Sequence, residues 1–167
     1  MRIILGWGTD PRDLDSHLTG PTASSTGASD ETNRFHVYYS SRSSDVAILD
    51  VDDTSSFGPE TVTISPPSGS SVLRAGLYRY TVHDYSGSGD IASSPTTVRL
   101  IFSDGTERSF TAAASASLTG SKDTWTVFEL LVDSAGAVTV YPVLTYAVES
   151  SSSSIRATET GMGSVET

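Results

Sequence analysis

Asp13-Leu14-Asp15-Ser16-His17-Leu18 alternates strictly, with Leu14 and Leu18 on one side of an extended chain and Asp13, Asp15 and His17 on the other. A period of two is the mark of a strand with one face in a core. The apolar side of a strand gains nothing from carboxylates, so these groups must be solvated, paired or holding a cation. The same period recurs on both sides of this stretch. Upstream, residues 2–7 (RIILGW) are apolar and bounded by Gly8 and Pro11. Downstream, Phe35, Val37 and Tyr39 alternate with His36 and Tyr38, and Ala47, Leu49 and Val51 alternate with Asp50 and Asp52.

Further strands are expected at residues 60–64, 77–83, 96–102, 106–112, 124–132 and 137–147. Ser103-Asp104-Gly105 and Asp133-Ser134-Ala135-Gly136 are hairpin signals between the last pairs. Pro142 should place its strand at an edge or a bulge. No segment has a helical period, and residues 111–118 (TAAASASL) read as strand or loop. About ten short strands at this spacing predict an all-β protein, an antiparallel β-sandwich of jelly-roll or immunoglobulin-like type. The domain is expected to span residues 1–149. Residues 150–167 open with five serines and carry little apolar content, so they are expected to be a linker or disordered tail.

Ser and Thr fill about three positions in ten, which suits strands and polar turns better than long helices. The net charge is −10, with a single lysine, Lys122, against thirteen aspartates. Without a basic patch to neutralise phosphates, nucleic acid is not an expected partner. A solvating acidic surface is an alternative source of the charge. The absence of cysteine excludes disulfides, thiolate zinc and cysteine catalysis. No apolar run approaches membrane-spanning length, and residues 2–7 are too short for a signal-peptide core. An extracellular or cell-surface location is expected, as one monomeric module cut from a longer bacterial chain.

Three clusters carry the candidate chemistry. Asp10, Asp13 and Asp15 supply up to six hard oxygens within six residues, and calcium takes 6–8 such oxygens. The spacing is not that of an EF-hand, and turn capping by Asp10 with pairing of Asp13 to an arginine is the alternative. Asp50, Asp52 and Asp53, followed by Glu60, form the second cluster. Adjacent Asp52 and Asp53 cannot share one face, so one is expected at the sandwich edge and the other on local backbone N–H groups. Carboxylates this close repel one another unless a cation is present. The expected metal set is therefore Asp10, Asp13, Asp15, Asp50, Asp52, Asp53 and Glu60, with calcium as the ion. The third cluster is Val82-His83-Asp84. If their strands are neighbours, His17, His36 and His83 converge with Asp15 or Asp50 on zinc, with Asp84 alongside; otherwise they are three separate hydrogen-bonded histidines.

Catalysis finds little footing. The chain has no G-x-S-x-G elbow, H-E-x-x-H or phosphate loop. Ser16 and His17 are adjacent and point oppositely on a strand, so they cannot form a nucleophile–base pair with Asp84. The protein is therefore not expected to be an enzyme, although a metal-dependent enzyme using the His/Asp face is a third reading. Trp7, Trp125, Tyr39 and Tyr80 fit core positions at least as well as a sugar platform. Lys122 and Asn33, the only lysine and only asparagine, both fall in loops, which argues against an autocatalytic isopeptide bond.

The string Gly6-Trp-Gly-Thr-Asp-Pro-Arg-Asp-Leu-Asp-Ser-His-Leu18, with Phe35-His-Val-Tyr-Tyr39, Leu49-Asp-Val-Asp-Asp-Thr54, Gly58-Pro-Glu60 and Tyr80-Thr-Val-His-Asp-Tyr85, resembles a family of uncharacterised bacterial surface-protein domains. These resemble the YfaP-type domain and, more distantly, the pre-peptidase C-terminal β-sandwich, from which this chain departs in its three histidines. The resemblance covers residues 2 to about 140. It implies an accessory module of an adhesin or secreted protein, with structural calcium in related sandwiches. The expected function is a metal-stabilised module that acts in adhesion or ligand binding, its partner a protein or glycan on a surface. The alternative is a carbohydrate-binding accessory domain of a secreted hydrolase.

Overall fold

Each period-two segment becomes a strand in the computed structural model, which describes residues 1–113 and 123–155. In chain order the strands are β1 (Arg2–Gly6), β2 (Leu14–Pro21), β3 (Arg34–Val37), β4 (Ala47–Val51) and β5 (Glu60–Ile64). They continue as β6 (Gly76–Asp84), β7 (Thr97–Ile101), β8 (Glu107–Thr111), β9 (Asp123–Val132) and β10 (Val138–Val148). The structure is an all-β sandwich of two antiparallel five-stranded sheets. One sheet has the order β4-β5-β1-β7-β8, the other β10-β9-β6-β2-β3.

The apolar halves of the strands meet between the sheets. Ile3 and Leu5 of β1, Val62 and Ile64 of β5, and Val98 and Leu100 of β7 face Leu14 and Leu18 of β2, Tyr78, Tyr80 and Val82 of β6, and Trp125, Phe128 and Leu130 of β9. Trp7, Trp125 and Tyr80 are core residues, so three of the four aromatic residues weighed as a sugar platform are buried. Pro142 lies on the edge strand β10, where the register with β9 shifts between Pro142 and Thr145. An edge or bulge spares the ladder the N–H that proline lacks.

β2 runs further than its alternating core predicts. Thr19, Gly20 and Pro21 read as the start of a polar loop, yet they pair with His36, Phe35 and Arg34 of β3. The close approach needs Gly20, since a Cβ there would lie 2.7 Å from the rings of Phe35 and Tyr78. Of residues 150–167, those to 155 are described. A short 3₁₀ turn, Ser152–Ser154, follows β10, and Ser152 and Ile155 are buried. Residues 114–118 of the alanine-rich stretch lie outside the described residues, as does Lys122. Asn33 instead donates its side-chain amide to Asp30.

The β10-β9-β6-β2-β3 sheet is buried on both faces along β2 and β6, every residue of which is buried. Its outer face is polar. Register aligns Asp15 with His83, His17 with Thr81, and Thr19 with both Arg79 and His36. Buried charge on this face is paired: the Arg79 Nε donates to Glu129 at 2.7 Å, and Glu31 bridges Arg79 and Arg34. The Tyr38 ring stacks over His17 and His36, and the 149–152 segment covers His83. The polar side of the opening stretch is thus enclosed rather than solvated, which sets the chemistry of the site.

Candidate metal centre

One corner of the sandwich gathers carboxylates from five segments. Asp13 precedes β2, Asp15 lies within it, Asp52 follows β4, Glu60 opens β5 and Asp84 ends β6. Glu60 belongs to one sheet, yet its Oε2 accepts a 2.7 Å hydrogen bond from the backbone N–H of Ser16 in the other. That bond ties the two sheets together at the site. The chain reaches Glu60 by passing Gly58 over the Trp7 ring. Gly58 has φ +66°, and a Cβ there would lie 2.5 Å from the ring. A left-handed backbone and a ring in contact leave room for glycine alone.

Ligand oxygens of Asp15, Asp52 and Glu60 lie within 4.8 Å of one another. Asp13, Asp15 and Asp52 also line a pocket of about 150 Å³ whose other walls are Tyr39, Thr54 and Tyr85. Asp13 Oδ1, Asp15 Oδ2, Asp52 Oδ1 and Glu60 Oε1 are buried acceptors with no hydrogen-bond partner among the described residues. Buried polar atoms are nearly always satisfied, so four unsatisfied oxygens in one corner call for a ligand. Burial, reinforced by Asp13, Asp52 and Asp84, pushes the Asp15 carboxyl up to about 8. Burial likewise raises Glu60 to about 9, against the opposing Ser16 hydrogen bond and with Asp15 and Asp52 adding to the rise. Asp13 is raised by burial and then by Asp52, with Arg12 opposing. A cation would reverse each of these shifts by stabilising the charged forms.

The expected metal residues divide accordingly. Asp13, Asp15, Asp52 and Glu60 come together. Asp53 stands close enough to raise Asp13 but is engaged in a turn, its Oδ1 accepting from the Ser55 N–H and hydroxyl. Asp50 is exposed on the far side of β4, where it accepts from the Thr63 hydroxyl. Alternation explains the difference: Asp50 and Asp52 share a side of an ideal strand, but a register shift between Leu49 and Val51 breaks the pairing before Asp52. Asp10 is exposed, packed beside Gly89, and does not line the pocket. Asp84, expected beside the histidines, joins the carboxylate corner instead; its Oδ1 accepts from Ser86 and from the Gly87 N–H. Tyr39, Thr54 and Tyr85 are pocket residues that sequence reasoning did not single out for the site. The aromatic alternation of residues 35–39 was the available signal for Tyr39.

The histidines do converge, because β3, β2 and β6 are consecutive neighbours. His17 Nδ1 lies 2.8 Å from His36 Nε2, and the His17 and His83 rings are 5.7 Å apart, edge to face. His17 and His83 meet Asp15, not Asp50, and His36 contacts His17 outside that group. Burial, with His36 and His83 nearby, holds the His17 pKa well below the usual histidine range, so this imidazole is neutral. Ser16 points to the opposite face, where its hydroxyl bonds the Tyr80 hydroxyl at 2.7 Å.

No protein-family model matches the chain, and no curated protein matches it. A solved structure, that of the unknown-function protein SAV2460, is similar over 90% of this chain and 90% of its own, at 19% identity and a TM-score of 0.53. The likeness is one of fold.

Proposed function

We propose that the chain is an extracellular β-sandwich module of a larger surface or secreted protein. On this reading it binds calcium in the corner pocket and uses the loaded corner to hold a ligand. The observation that carries the reading is the set of four buried, unpartnered carboxylate oxygens drawn from both sheets. Desolvating such groups costs several kcal/mol apiece unless they are protonated or meet a cation. All the donors are hard oxygens, which favours calcium, and extracellular modules hold calcium with dissociation constants of roughly 10⁻⁴–10⁻³ M. The likeness to YfaP-type surface domains, carried by the residues that build this corner, belongs to the same proposal.

The module acts by binding rather than by turnover. A glycan is favoured as the ligand by the mouth of the pocket, where Tyr39 and Tyr85 meet edge to face at 5.3 Å and Tyr85 is 43% exposed. A sugar can offer adjacent hydroxyls to the ion and an apolar face to the tyrosines. The carbohydrate-binding accessory domain is therefore the second reading.

Thermal melts of chelator-stripped protein test the proposal, with calcium, magnesium or neither restored. Calcium should raise the midpoint in the parent and fail to do so in Asp15→Ala. An unchanged midpoint at millimolar calcium would remove the proposal.

A further inference from the structure

Behind the acidic pocket stands a second cluster that shares Asp15 with it. Asp15, His17 and His83 each bring a ligand atom within 4.8 Å of the other two, and all three residues are at most 3% exposed. The hydrogen bonds around the rings orient them. His83 Nε2 lies 2.9 Å from the carbonyl oxygen of Glu149. A carbonyl only accepts, so this nitrogen carries the proton and Nδ1 carries the lone pair. Nδ1 accepts from the Ser152 hydroxyl at 3.4 Å. His17 Nδ1 meets His36 Nε2, and His17 Nε2 is buried with no hydrogen-bond partner among the described residues. With His17 Nδ1 as the donor, Nε2 presents a lone pair. In His17 one nitrogen is held by a protein group and the other faces the cluster. In His83 the Glu149 carbonyl holds Nε2, so that a metal would take Nδ1 in place of the Ser152 hydroxyl, which is how metal-ligating histidines are oriented.

We infer that Asp15, His17 and His83 form a second cation site, which takes a borderline metal such as zinc beside the oxygen-lined pocket. Imidazole donors suit zinc and its neighbours, whereas calcium takes oxygens. Two nitrogens and one carboxylate supply three of the four positions of tetrahedral zinc, and the fourth is left for water or a ligand atom. The shared residue, Asp15, has two oxygens and so can serve both ions. The 149–152 segment belongs to this site, because the Glu149 carbonyl fixes the tautomer of His83. The inference does not require calcium in the neighbouring pocket.

The test titrates the chelator-stripped full chain with cobalt(II), a coloured stand-in for zinc, in calcium-free buffer. Saturable binding of one equivalent should give the intense visible bands of a four-coordinate site, and zinc should bleach them. Asp52→Asn, which alters the acidic pocket alone, should keep the bands, and His83→Gln should lose them. Where a histidine variant fails to fold, ring ¹⁵N resonances of the unmutated chain decide: zinc should shift those of His17 and His83. Weak six-coordinate bands, ring resonances unmoved by zinc, or bands lost in a folded Asp52→Asn variant would each overturn the site. If calcium leaves the melt unchanged while cobalt and zinc bind here, the calcium reading falls and this one stands. The reverse result removes this site alone.

Discussion

Glu60→Gln separates a cation ligand from a structural carboxylate. Glu60 is fully buried, with Oε2 accepting from the Ser16 N–H at 2.7 Å and Oε1 unpartnered. Its carboxyl is raised to about 9, so in metal-free protein at pH 7 it is neutral. Glutamine has the same shape, is neutral and keeps an acceptor for Ser16. The metal-free variant should therefore match the parent to within about 1 kcal/mol, the size of one exchanged hydrogen bond. With calcium at a hundredfold excess over its dissociation constant the parent gains about 2.7 kcal/mol. At about 2–4 °C per kcal/mol for a chain of this size, the midpoint rises by roughly 5–11 °C. If losing one charged ligand weakens calcium a hundredfold, the variant at the same calcium gains only about 0.4 kcal/mol. Thermal melts by circular dichroism, with and without calcium, read all four states. Asp50→Asn serves as the control: Asp50 is exposed and bonded to Thr63, so its calcium response should equal the parent's. The reasoning fails if Glu60→Gln responds to calcium like the parent. It fails equally if the metal-free variant loses several kcal/mol at pH 7, because Glu60 would then be an ionised structural group.

The metal-free protein should become less stable as pH rises. Asp15 moves from an ordinary 3.8 to about 8 and Glu60 from 4.5 to about 9, so the folded state holds protons that the unfolded chain has released. Stability then falls between about pH 4 and pH 9 by up to ~1.4 kcal/mol per pH unit for each group, which urea melts across that range would detect, and a flat profile would contradict the burial of these carboxyls. Glu129→Ala leaves the buried Arg79 guanidinium without its 2.7 Å partner and should cost about 3–5 kcal/mol in denaturant melts, where a loss under 1 kcal/mol would show the pair to be dispensable. Ile155→Ala should cost about 2–5 kcal/mol, since Ile155 is only 1% exposed; an unchanged midpoint would mean that the segment after β10 contributes no packing. Gly58→Ala forces a Cβ against Trp7 at φ +66° and should lower stability by at least ~1–2 kcal/mol, with calcium affinity falling as Glu60 is displaced; wild-type behaviour in both assays would refute the role given to this turn.

The strands were legible because alternation is a local signal. Leu14 and Leu18, or Ala47 and Leu49, declare a face without reference to any other part of the chain, whereas Val51, expected on the face of Leu49, is 48% exposed beyond the register shift. The outer limits of β2 were not legible, because Thr19 to Pro21 become a strand only by pairing with β3. The same boundary between local and non-local information divides the site. Carboxylate clusters mark themselves in sequence, but only strand order brings Glu60 across to Ser16 and leaves Asp50 on the far side of β4. Asp53 follows the local rule for aspartate in turns, through its bonds to Ser55. The histidines illustrate the limit most clearly. Their shared polar face is readable from each strand alone, whereas the meeting of His17 and His83 at Asp15 depends on β2 and β6 being neighbours, and the contact of His36 with His17 on β3 lying beside β2. Burial was the least legible property, since the covers over this polar face are Tyr38 and the 149–152 segment, both remote in sequence from Asp15.

A crystal structure of the protein grown with calcium tests the central claim most directly. The account predicts one cation in the corner pocket, with oxygens of Asp15, Asp52 and Glu60 at calcium–oxygen distances of about 2.3–2.6 Å and Asp13 at its mouth. A pocket filled only by water at millimolar calcium, or an ion bound at Asp10 or Asp50 instead, would contradict it.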